Sequence, residues 1–216
     1  MRIAVLGATG ATGRLLVQEA LDRHLEVTAI ARDPARIPIP DQPGLTKVKG
    51  DVREPDSIAR AVEGSDVLLS GLGLGQADTN TLTLGARAAV ASGVPRIIWR
   101  GAYGSGASAG AAGVLTRSLL QVFMKSELAD KVAADSAVLT AGGTVFHAGP
   151  LSDGTAGPNR RTLRLDEAPR RLFPARVSRA GVAAAMVDEA VSPRFPGQTV
   201  LPIDAPKPSA RPATGS

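Results

Sequence analysis

Cysteine is absent from this chain of 216 residues, which removes disulfides, thiolate nucleophiles and cysteine-ligated zinc from consideration. Aromatic residues make up 3% of the sequence, with one tryptophan and one tyrosine. So little stacking surface, and no helix-turn-helix, zinc-finger or RNA-recognition signature, argues against nucleic acid as a partner despite a net charge of +5. Much of the basic excess lies between Arg160 and Arg179, where solvated loops and the rim of a pocket are expected. His24 and His147 are the only histidines, and neither stands in a metal-ligating spacing, so no metal site is expected. No apolar run is long enough to span a bilayer. Met1-Arg2 passes directly into the apolar run Ile3 to Leu6, without the pattern of a secretory leader, and the chain is expected to work in the cytoplasm.

What is present is ordered. Hydrophobic residues reach 44% and charged residues 21%, the balance of a globular chain with one core. Apolar and β-branched runs recur at Ile3 to Leu6, Glu26 to Ala31, Thr46 to Lys49, Val67 to Ser70, Arg96 to Arg100, Thr144 to His147 and Thr199 to Ile203. Helical spacing fills the intervals, first through Leu16, Val17, Ala20 and Leu21. It returns over Asp56 to Glu63, Thr79 to Ser92, Gly113 to Met124, Glu127 to Thr140 and Arg179 to Val191. This alternation predicts an α/β fold, a doubly wound and mainly parallel Rossmann sheet with helices on both faces. One domain is expected over residues 1–203. Residues 204–216, with three prolines among small and polar residues, are expected to form an unfolded tail.

The densest chemical signal lies where the first strand ends. Gly7-Ala8-Thr9-Gly10-Ala11-Thr12-Gly13 follows a strand and opens a helix, the context in which glycines let the backbone approach a pyrophosphate. The helix terminus then offers free N–H groups and partial positive charge, and Thr9 and Thr12 add hydroxyls. At the end of the second strand, where NAD-specific proteins often place a carboxylate against the ribose 2′-hydroxyl, the chain reads Ala31-Arg32-Asp33-Pro34-Ala35-Arg36. A guanidinium at Arg32 pairs bidentately with a 2′-phosphate, with Arg36 closing the clamp, so the cofactor expected is NADP(H). Asp33 is expected to cap a short helix beginning at Pro34. Asp51 is placed either to accept from the adenine amino group, with Val52 over the ring, or as a turn aspartate. Leu72 and Gly73 offer a second close backbone approach.

Together, the glycine run, Ala-Arg-Asp-Pro-Ala-Arg and Lys-Gly-Asp-Val resemble the atypical short-chain dehydrogenase/reductases, in particular the NAD(P)H-binding branch with flavin reductase/biliverdin reductase B and NmrA-like proteins. The resemblance runs from Ile3 to about Ile203. It also includes Asp130-Lys131 and Leu151-Ser152-Asp153-Gly154, and implies that Lys131, Pro150 and Leu151 join the earlier residues in touching the cofactor.

Two departures bear on chemistry. Short-chain dehydrogenases commonly use Tyr-x-x-x-Lys to protonate a carbonyl that receives hydride, but Tyr103 is the only tyrosine and position 107 is alanine. Ala102 stands where flavin reductase-like members often carry serine, and His147 where many have arginine. Flavins, quinones and conjugated tetrapyrroles delocalise incoming charge and draw a proton from water, so the expected activity is NADPH-dependent hydride transfer to such a small molecule. The alternative is a non-catalytic NADP(H)-binding sensor or partner-binding module of NmrA-like type. Tyr103 and Lys131 are the candidates nearest the chemistry; a tyrosine packed on the Gly104 to Gly113 loop and a plain surface lysine are the other readings. His147 reads either as a proton donor or as a partly buried strand-end residue, and Trp99 as core. Glu127, Asp130 and Asp135 read as a solvated helix face. The substrate pocket is expected from the loops Gly104 to Gly113 and Ser152 to Ala175, in a monomer or homodimer.

Overall fold

The computed structural model describes residues 1–73, 80–102, 125–167 and 176–204. Strand β1 (Arg2–Leu6) enters the turn that leads to α1 (Gly13–Asp22). The chain then forms β2 (Glu26–Ala31), a 3-10 turn at Pro34–Arg36, β3 (Leu45–Lys49), α2 (Pro55–Ala61), β4 (Val67–Ser70), α3 (Thr81–Ala91) and β5 (Ile97–Ala102). The second half runs through α4 (Lys125–Thr140), β6 (Thr144–Ala148), β7 (Leu151–Ser152), β8 (Arg160–Arg164), β9 (Val177–Ser178), α5 (Arg179–Val191) and β10 (Thr199–Asp204).

Eight strands form one sheet in the order β3-β2-β1-β4-β5-β6-β10-β8, parallel throughout except where β8 runs antiparallel to β10. The order reverses between β1 and β4, so a crevice must open at the carboxyl ends of those strands, where adjacent connections leave in opposite directions. Alternation within β1 divides the core. Ile3 and Val5 pack into one apolar cluster with Leu16 of α1 and Val182 and Met186 of α5. Ala4 and Leu6 face the other cluster, with Ile58 of α2, Leu82 and Ala86 of α3 and Val138 of α4. Both faces are covered, which is why β4 is buried along its whole length. Trp99 is 1% exposed and lies in the second cluster, the core position expected of it. Among the described residues, no helix is long and apolar enough to cross a membrane.

The segment read as a pocket loop from Ser152 to Ala175 contains structure of its own. Arg160–Arg164 is the edge strand β8, and β7 pairs with β9 in a separate two-stranded sheet. The run Arg-Arg-Thr-Leu-Arg carries no apolar alternation, because an edge strand exposes one side and favours charged residues that prevent further pairing. Residues 168–175, the helix expected over Gly113 to Met124 and the tail beyond Asp204 lie outside the described residues; Asp204 itself ends β10.

Candidate cofactor site

The turn after β1 is built from close backbone contacts. Gly7 adopts φ +79°, a left-handed conformation that glycine enters without penalty. The amides of Gly7 and Ala8 donate to the Ile30 carbonyl of β2 at 3.2 and 3.1 Å, and the Gly10 amide donates to the Gly7 carbonyl at 3.0 Å. The amides of Thr9, Ala11 and Thr12 have no protein acceptor among the described residues. Free N–H groups at a helix entrance are what an anionic diphosphate requires, so the residues present fit such a group.

A cleft opens at the carboxyl ends of β1 to β4. Gly7, Thr9 and Gly10 line it from the turn, Arg32 from the end of β2, Asp51 and Val52 from beyond β3, and Leu72 and Gly73 from beyond β4. Eight of the residues singled out in the sequence are thus brought together. Thr12 is buried, Gly13 packs beneath the Gly7 carbonyl, and Ala11 is exposed; none of the three lines the cleft. Arg36 is exposed on the 3-10 turn and also lies off the lining. Asp33 caps that turn, its Oδ1 accepting from the Ala35 amide at 3.1 Å. Asp51 shapes its turn through Oδ1, which accepts from the Arg53 amide at 3.0 Å, while the residue also lines the cleft. Arg53 and Thr81 line the cleft as well and were missed, although Arg53 follows directly on Asp51-Val52.

Lys131 is half-buried on α4, Pro150 follows β6 and Leu151 opens β7; none lines this cleft. Tyr103 and Gly104 to Gly113 lie outside the described residues.

The acidic helix face is corrected by the structure. Asp130 and Asp135 are each 4% exposed, and Glu127 has its side chain outside the described residues. Asp130 accepts from the amides of Leu82 and Thr83 at 3.0 and 2.8 Å, satisfying two free donors at the start of α3 and the helix dipole with them. It therefore fixes the end of α3 that presents Thr81 to the cleft. Asp130→Ala leaves both amides without their charged acceptor, an expected loss of about 2–3 kcal/mol. In a thermal melt that is a fall of roughly 5–10 °C, and an unchanged melting temperature would contradict the capping role. Asp135 Oδ2 accepts from His147 Nε2 at 2.8 Å. His147 is 1% exposed, not the partly buried strand-end residue expected. Gly101 makes room for the pair, because a Cβ there would stand 2.6 Å from His147 Cδ2 and 2.8 Å from both Asp135 oxygens. Asp130, Ala134 and Val138 share one helical face at four-residue spacing, the signal that would have marked the acid as inward-facing.

At the end of β5, Arg100 Nη2 donates to the Leu72 carbonyl at 2.5 Å, bracing the turn that carries Leu72 and Gly73. Burial, then the charge of Arg179, lowers the Arg100 guanidinium below its ordinary value, against an opposing pull from Asp135.

A sequence model of the NAD(P)H-binding family matches residues 7–193, from the first glycine of the turn to just past α5. The chain belongs to the NAD(P)H-binding family. This NAD(P)H-binding protein is 39% identical over 67 residues to a 3-beta-hydroxysteroid dehydrogenase of Mycolicibacterium neoaurum, a stretch covering 31% of this chain and 18% of that enzyme. It thus spans less than a fifth of the length of that curated relative. Among solved structures, it is similar to ChuY of Escherichia coli O157:H7, described as an anaerobillin reductase, with a TM-score of 0.76 and 22% identity over 99% of this chain and 100% of the other. A short-chain dehydrogenase/reductase of Veillonella parvula DSM 2008 in complex with NADP gives a TM-score of 0.76 at 20% identity, covering 97% and 99% of the two chains. These likenesses establish a shared fold, and with the family match they meet the resemblance read from the motifs.

Proposed function

We propose that this protein is an NADP(H)-dependent oxidoreductase that reduces a small delocalised acceptor such as a flavin, a quinone or a related conjugated molecule. The observation that carries the reading is Arg32 at the end of β2, lining the same cleft as the Gly7 to Gly10 turn, with no carboxylate in its place to receive a 2′-hydroxyl. The free amides of Thr9, Ala11 and Thr12 hold the diphosphate, and Arg32 grips the 2′-phosphate with Arg36 beside it. Asp51 Oδ2 accepts from the adenine, Val52 covers the ring, and Leu72 and Gly73 border the middle of the cofactor. Lys131, Pro150 and Leu151 complete its far end. When bound, the nicotinamide supplies a hydride to the acceptor.

The chain's part is to orient the two partners and exclude water, with Tyr103 and Lys131 as the groups assigned nearest the reacting atoms. An acceptor that spreads the arriving charge over a conjugated system takes its proton from solvent, so no tyrosine-lysine pair is required. The names of ChuY and of the Veillonella parvula complex support this reading. NADPH incubated with a panel of flavins and quinones is expected to lose its absorbance at 340 nm with at least one of them. Retention of that absorbance with every acceptor would sink the reductase reading and favour the sensor alternative, to which Ala102, lacking a hydroxyl at the end of β5, already lends some support.

A further inference from the structure

Among the described residues, Arg100 forms no salt bridge, and the charge of Asp135 reaches it only at a distance. Its neighbours in β5 are buried on opposite faces of the sheet: Trp99 lies in the cluster under α2 to α4 and Ile98 in the cluster under α1 and α5, so strand alternation sends Arg100 to the α5 side. There the guanidinium spends one N–H on the Leu72 carbonyl. Its Nε is fully buried and has no hydrogen-bond partner among the described residues, an expensive state for a charged donor. The acid nearest in its electrostatics, Asp135, is already engaged by His147. A second guanidinium belongs to the same side of the sheet, on the helix α5 that packs with Ile98 in one cluster, and its charge reaches Arg100. Arg179 is the first residue of α5, an end of the helix dipole where a cation is disfavoured. It follows β9, whose partner β7 continues the chain from β6, the neighbour of β5 in the sheet. Its partner is Asp153 at 2.7 Å, whose side chain is 88% exposed, a pair of the kind that contributes little and exchanges readily. Like charges kept together with one donor unsatisfied mark a place where negative charge is to arrive.

We infer that Arg100 and Arg179 form a receptor for an anionic group of the acceptor, a carboxylate or phosphate, at the carboxyl ends of β5 and β9. This rests on the oxidoreductase reading for the identity of the ligand, and it narrows the acceptor class to conjugated molecules that carry an acidic substituent. The incoming anion displaces Asp153 from Arg179 and completes the donors of Arg100, while Leu72 stays braced toward the cofactor.

FMN and riboflavin provide the test, since they share one ring system and differ by a phosphate. Their binding to the full-length protein saturated with NADP+ is read by quenching of flavin fluorescence, which needs no turnover. FMN is expected to bind at least about tenfold more tightly at low ionic strength, the equivalent of one charge-assisted hydrogen bond, and to lose most of that margin in 0.5 M salt. Arg179→Ala, at a side chain already paired at the surface, is expected to erase the margin while leaving riboflavin affinity and NADP+ affinity unchanged. Arg100→Lys keeps the charge but not the fork, and is expected to reduce the margin partway. Equal affinities, no binding of either flavin, or a margin that survives Arg179→Ala would overturn the inference. So would a loss of NADP+ affinity in its place, which would assign the pair to the cofactor's own phosphates. If the FMN margin is found and no acceptor oxidises NADPH, the reductase reading fails alone.

Discussion

Gly13→Ala is expected to give a protein that is largely insoluble or melts at least about 10 °C below the parent, and that no longer binds NADPH. A Cβ at Gly13 would stand 2.0 Å from the Gly7 carbonyl oxygen, 2.7 Å from its carbon and 3.1 Å from Ala8 Cα. Every one of these atoms is backbone, so no side chain can turn aside, and Gly71 at the end of β4 closes the other side of the same contact. Relief demands that α1 withdraw from the turn, which opens the cluster holding Leu16, Val17 and Ala20. A loss above ~4 kcal/mol is of the size that such core displacements produce, and in a chain of this length each kilocalorie moves the melting point by roughly 2–4 °C. Gly10→Ala is the control. Its Cβ would stand 3.3 Å from the Gly7 carbonyl oxygen, a tight contact that a shift of a few tenths of an ångström relieves, so the variant should fold and melt much closer to the parent than Gly13→Ala does, while binding NADPH more weakly because Gly10 lines the cleft. A Gly13→Ala protein with parental stability would mean that the turn is not packed as described.

Arg32→Ala is expected to lower the preference for NADPH over NADH by roughly 10- to 100-fold, the range set by one or two guanidinium-phosphate hydrogen bonds. The change should lie in NADPH affinity alone. Arg32 is exposed at the mouth of the cleft, so the substitution leaves the core untouched, and the parental preference should itself weaken with salt. Arg36→Ala should act in the same direction but less strongly, since Arg36 does not line the cleft. The ratio of dissociation constants for the two coenzymes, measured for each variant, decides the matter. A ratio unmoved by Arg32→Ala would remove Arg32 from coenzyme selection.

Both expectations rest on features that the sequence displays locally. The run Ile3 to Leu6 followed by seven residues with three glycines makes a strand, a turn and a helix in one stretch. Arg179–Val191 was legible to the residue, because Ser178 accepts from the Gly181 amide at 2.9 Å as a helix cap and the apolar residues behind it keep helical spacing. The acids of α4 were misread because a charged residue on a helix is ordinarily solvated, and only the distant amides of α3 and the ring of His147 make Asp130 and Asp135 tolerable inside. β8 escaped because an edge strand of arginines carries no apolar signature, while its partner β10 does. Thr81 reaches the cleft, and Arg100 and Arg179 come to one side of the sheet, only through the strand order, whereas Arg53 stands next to Asp51-Val52 and carries no pattern of its own. The glycine turn and Arg32 were readable for the opposite reason, since phosphate recognition by backbone amides is written in consecutive residues.

Isothermal titration of the wild-type protein with NADPH and, separately, with NADH tests the central claim most directly. NADPH is expected to fill one site per chain with at least about tenfold higher affinity than NADH. Absence of binding heat for both coenzymes across temperatures, or equal affinity for the two, would contradict the assignment of this cleft to NADP(H).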